Sequence, residues 1–69
     1  MAQKLDFGIN YGKHIEPVKA RTFTGIDGGI YASIHGDIFN DSELSADRID
    51  QLIQLLQDVR EAIRREAST

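Results

Sequence analysis

The chain has 69 residues, 41% of them hydrophobic and 28% charged, a balance that fits a folded domain and excludes a disordered tail. It has no cysteine, which rules out disulfides and thiolate metal sites, and His14 and His35 have no third strong ligand at a zinc-like spacing. The net charge of −3 argues against a general nucleic-acid binder, which needs a clustered basic surface, and no apolar run reaches membrane-spanning length.

Residues 4–11 alternate: Leu5, Phe7, Ile9 and Tyr11 share one face, and Asp6, Gly8 and Asn10 the other. That period of two predicts a first strand with one buried face. Gly12-Lys13-His14 reads as a turn. Pro17 cannot donate to a sheet ladder, so it marks an edge, a bulge or the start of a second strand over residues 17–26. A third strand covers 30–39. Between them, a three-residue loop of Asp27-Gly28-Gly29 would pair Ile26 with Ile30, Thr22 with Ile34 and Val18 with Ile38, which keeps one face apolar or small. Such loops use a type I turn followed by a left-handed residue, here expected to be Gly29. A phosphate-cradling loop would instead run from a strand into a helix, so Asp27-Gly28-Gly29 is read as a turn and not a ligand loop.

After a polar connection over residues 40–44, a helix is predicted over 45–66. Ser45 is its N-cap, Leu44 and Ile49 form a hydrophobic staple, Asp47 suits the first turn, and Arg60, Arg64 and Arg65 suit the far end. Ile49, Leu52, Leu56, Val59 and Ile63 recur at alternating steps of three and four, the expected sheet-facing seam. They join Leu5, Phe7, Ile9, Val18, Ile26, Ile30, Ile34 and Ile38 in the expected core. Ala20, Ala32 and Gly36 leave room for the helix to lie close. Ile53 and Leu55 widen the stripe beyond what one sheet contact needs. Either this extra width simply covers the only sheet, or one flank, with Leu55 or Ile53, meets a second chain, so that Ile53, Leu55 and Val59 are the candidate interface residues. Gln51, Gln54 and Gln57 are read as helix formers on a solvated face.

A domain of this size buries only about 60% of its unfolded surface. Without disulfides or metal, a homodimer or a protein partner is the remaining means of adding stability. The segment MAQKLDFGIN lacks a signal-peptide core, so a cytoplasmic protein is expected.

The outer sheet face collects Lys19, Arg21, Phe23, Tyr31 and His35, with Ser33 and Asp37 beside them. In the expected register Arg21 faces His35, Phe23 faces Ser33, and Tyr31 lies diagonal to Phe23. Basic and aromatic groups on an open sheet serve a protein hot spot or a single-stranded nucleic-acid platform. Aromatic residues also stabilise strand pairing with no further role. The carboxylates Asp37, Asp41, Glu43, Asp47 and Asp50 do not follow a calcium-loop spacing. Ser33 and His35 have no acid evidently placed behind the histidine, so no enzyme and no cofactor is expected.

The stretch GIDGGIYASIHGD, followed by a helix ending DVREAIR, resembles the degraded ribonuclease-H-like antitoxins of the HicB kind, which carry a DGG-type hairpin, a strand and then a helix. The resemblance covers the second half of the chain and implies a subunit that binds a toxin protein. The family's proline-glycine-cysteine stretch after the third strand is missing, and no residue role is carried over. In size and composition the chain also resembles compact accessory proteins of phages and mobile elements. The expectation is therefore an α+β domain, a three-stranded antiparallel meander with one C-terminal helix. Its expected role is a small protein-binding regulator or inhibitor acting as a homodimer, with nucleic-acid binding and an antitoxin-like role as alternatives.

Overall fold

The computed structural model describes residues 3–40 and 43–68. Strands β1 (Lys4–Asn10), β2 (Ile15–Thr24) and β3 (Ile30–Gly36) form one antiparallel sheet in the order β1-β2-β3. One turn of 3-10 helix (Asp37–Asn40) and the helix α1 (Ala46–Ala67) follow. This is the expected βββα architecture, with some strand ends displaced. β1 stops at Asn10, where Gly12 takes φ +76° and the Tyr11 N–H donates to the His14 carbonyl at 2.9 Å. β2 starts before Pro17, not at it. β3 ends opposite Val18, so at Pro17 the strand is flanked by β1 alone and the missing N–H costs no ladder bond.

The β2–β3 hairpin corrects the expected register. Gly25 and Gly29 close the loop, with the Gly25 N–H donating to the Gly29 carbonyl at 2.8 Å. The Gly28 N–H donates to the Gly25 carbonyl at 3.0 Å, and Gly28, not Gly29, takes the left-handed φ of +84°. The turn type is the expected one, set one residue earlier over residues 26–28. Every cross-strand partner therefore moves by two: Val18 pairs with Gly36, Ala20 with Ile34, Thr22 with Ala32 and Thr24 with Ile30. Ile26, expected in the core, stands at the loop tip, fully exposed. Substituting Gly28 with alanine forces a side chain into positive φ. The expected loss exceeds roughly 1 kcal/mol in denaturant unfolding.

α1 is capped as expected. The Ser45 side chain accepts from the Arg48 N–H at 3.3 Å, Asp47 lies in the first turn, and Arg64 and Arg65 in the last. Its buried face matches the expected seam only in part: Val59 is in the core and Leu52 and Ile63 pack against it. Leu55, Val59 and Ala62 enter the core with Ile9, Val18, Ala20 and Ile38, while Ile49 and Leu56 are exposed. Leu44 packs against the core, but Ile49, its expected staple partner, faces solvent. Relative to the centre of the 49/52/56/59/63 seam, the helix is rolled by about 70°, at 3.6 residues per turn.

Two polar ties accompany that roll, one to β1 and one to Gln3, the residue before it. Gln51, half-buried, accepts from the Asn10 N–H through Oε1 at 2.8 Å, so it does more than favour the helix. Gln3 Nε2 donates to Glu66 Oε2 at 2.9 Å and to the Ala62 carbonyl at 3.4 Å. Small Ala62 is wholly buried and lets the helix approach closely. Thr22, also wholly buried, accepts the Gln3 N–H on its hydroxyl at 2.8 Å, which satisfies a polar atom in the core. Among the described residues no helix is long and apolar enough to cross a membrane.

Candidate functional site

With α1 covering one face of the sheet, the other is open. The register lines its side chains up in rows. Lys4 lies opposite Arg21, which lies opposite Ser33; Asp6 lies opposite Lys19, which lies opposite His35; and Phe23 lies directly opposite Tyr31. The expected Arg21–His35 and Phe23–Ser33 pairs are thus replaced by Arg21–Ser33 and Phe23–Tyr31. All five predicted binding residues, Lys19, Arg21, Phe23, Tyr31 and His35, are exposed on this face. Lys4, on the same face of β1 opposite Arg21, was not among the expected binding residues, which were drawn from β2 and β3 alone. Lys4, Lys19, Arg21 and His35 line one shallow depression of ≈ 330 Å³, with Asp6 as its carboxylate.

The hairpin end of the face is aromatic. The rings of Phe23 and Tyr31 stack with centroids 5.9 Å apart at 28°. The Tyr31 ring lies so close over Gly25 that a Cβ there would stand 2.5 Å from its Cε2. Its hydroxyl donates to Asp27 Oδ2, and Asp27 Oδ1 accepts the Gly29 N–H at 2.9 Å. Asp27 therefore ties the loop to the aromatic pair, and Ile26 projects beside them. At the opposite end, Ile15 is exposed and lies over Gly8, and Tyr11 stacks on His14 with the Arg48 guanidinium 3.9 Å above its ring.

These bonds set a testable titration. The Tyr31 hydroxyl, and then the Gly29 N–H, hold the Asp27 carboxyl below its ordinary value of 3.8. Asp27 in turn raises the Tyr31 phenol above 10.0. A lowered carboxyl favours the folded hairpin above its ordinary value, and that contribution fades as pH falls through the folded one. A raised phenol contributes below its ordinary value and loses its effect as pH rises through the folded one. In an NMR titration Asp27→Asn is expected to bring the Tyr31 transition back toward 10. An unchanged transition contradicts the bond.

The helix surface expected to meet a second chain is divided. Leu55 and Val59 are each 3% exposed and belong to the core, so neither reaches a partner; Ile53 alone of the three faces solvent. Part of the acidic segment, Asp41, lies outside the described residues. Among the described residues no three His, Cys, Asp or Glu side chains are placed to hold a metal ion.

Compared with protein-family models, curated proteins and solved structures, the chain matches none. The likeness to HicB-type antitoxins is carried by the local hairpin and helix pattern alone.

Proposed function

We propose that the chain is a non-enzymatic binding module that docks on another protein through its outer sheet face, acting as a small regulator or inhibitor. The observation that carries this reading is the placement of Lys4, Lys19, Arg21 and His35 on one open face beside the stacked Phe23–Tyr31 pair, in a chain of net charge −3. Aromatic and arginine side chains are the commonest hot spots of protein interfaces, and a basic surround selects an acidic rim on the partner. Ile26 extends the apolar end at the hairpin tip.

A protein fits this face better than a nucleic acid does. Phe23 and Tyr31 cover one another, which leaves fewer ring faces free for bases. The carboxylates of Asp6 and Asp27 stand within the basic and aromatic parts, where they repel phosphate.

The test is capture from a nuclease-treated extract, with wild type and Phe23→Ala/Tyr31→Ala as paired baits and circular dichroism confirming the fold of both. A protein retained by wild type, lost from the double variant, and then rebound in purified form supports the reading. Retention seen only when the nuclease is omitted, or equal retention by both baits, overturns it.

A further inference from the structure

The helix carries two apolar faces, and only one is used by the sheet. Leu55, Val59 and Ala62 enter the core. Ile49, Ile53 and Leu56 form a second stripe, between 43% and 49% exposed. Its centre lies roughly 120° around the helix from the buried face. The flank bearing Gln51, Gln54 and Asp58 lies along Phe7, Gly8 and Ile9 of β1. The stripe therefore faces the other way, toward the β3 edge, where Ile30, Ala32 and Ile34 are themselves only half-buried.

We propose that this stripe is a self-association surface, on which α1 packs antiparallel against α1 of a second copy of this chain. Spacing is the first argument. Ala46, Ile49, Ile53, Leu56, Arg60, Ile63 and Ala67 recur at alternating steps of three and four along the whole helix, the seam a two-helix pair requires; of these, Ile63 is half-buried and also packs against the core.

Charge is the second argument, and it selects the direction. Along the stripe's flank away from the sheet, Asp50, Gln57 and Arg64 follow one another at seven-residue steps. In an antiparallel pair this flank meets itself. Asp50 then faces Arg64 of the second copy, Arg64 faces its Asp50, and Gln57 meets Gln57 at the two-fold axis. A parallel pair would set the same charges against the other flank, which holds Leu52 and the buried Val59. In the antiparallel seam Ile53 packs on Ile63, Ile49 on Ala67, and Leu56 on the aliphatic stem of Arg60, whose guanidinium reaches water. One polar residue in such a seam lowers affinity and fixes register.

The proposal does not depend on the outer sheet face. Its test is molar mass by light scattering across a dilution series of the full chain. Wild type is expected to approach twice the 7.7 kDa chain mass at high concentration. Leu56→Glu is expected to stay at 7.7 kDa with an unchanged helical spectrum, because Leu56 is outside the core. Asp50→Arg and Arg64→Asp each weaken association several-fold, and the two together restore it. A wild type at the monomer mass throughout assigns the stripe to a foreign partner or to none and overturns the proposal. A dimer that survives Leu56→Glu moves the interface elsewhere. Failure of the charge swap to restore association refutes the antiparallel arrangement.

Discussion

Leu55→Ala is expected to destabilise the chain by about 2–5 kcal/mol, the range for emptying a buried leucine site. Its neighbour Leu56→Ala is expected to change stability by no more than roughly 0.5 kcal/mol, as surface substitutions do. Leu55 is 3% exposed and Leu56 47%. A domain gains only about 0.05–0.15 kcal/mol of stability per residue, so the first loss takes up much of what a chain of 69 residues has. Denaturant unfolding in dilute solution, where association through the stripe does not contribute, separates the two. Equal losses contradict the roll of the helix described above.

The second large effect concerns recognition. Once a protein partner is in hand, Phe23→Ala/Tyr31→Ala is expected to weaken its binding by roughly 30-fold or more, the scale of losing an aromatic hot spot worth about 2 kcal/mol. Lys19→Ala or Arg21→Ala is expected to act mostly on the association rate, by a few-fold, and less as salt rises, because exposed charges are screened. Surface plasmon resonance at two salt concentrations reads both. A steep salt dependence with little response to the aromatic change marks a phosphate-bearing ligand instead.

Strand order, the three-residue turn type, the helix cap and the outward set of Lys19, Arg21, Phe23, Tyr31 and His35 were legible in the sequence because each follows from local chemistry or from parity. Sheet parity has a blind spot, however. A slip of two residues leaves every side chain on its face, so alternation alone could not choose between a loop over 27–29 and one over 26–28. The structure has the earlier loop, in which Gly28 takes positive φ, Asp27 bonds Gly29 and Tyr31, and Phe23 faces Tyr31 directly.

The facing of the helix was legible only in part, for a related reason. Its apolar arc is wide enough to hold two seams, and the more hydrophobic one, 49/52/56/59/63, was assigned to the sheet. Alanine at position 62, and the hydrogen bonds of Gln3 and Gln51 to the opposite element, mark the face that is buried. A small residue in line with Leu55 and Val59 was the available signal. It points to close approach to the sheet, where a larger apolar residue points only to burial of some kind.

The measurement that bears most directly on the outer face as the working surface is radical footprinting of side chains by mass spectrometry, on the chain alone and bound to its captured partner. Phe23, Ile26, Tyr31 and His35 are expected to lose reactivity together on binding, while Leu55 is unreactive in both states. Unchanged reactivity at Phe23 and Tyr31, with protection confined to the helix or to Ile15, would contradict the account.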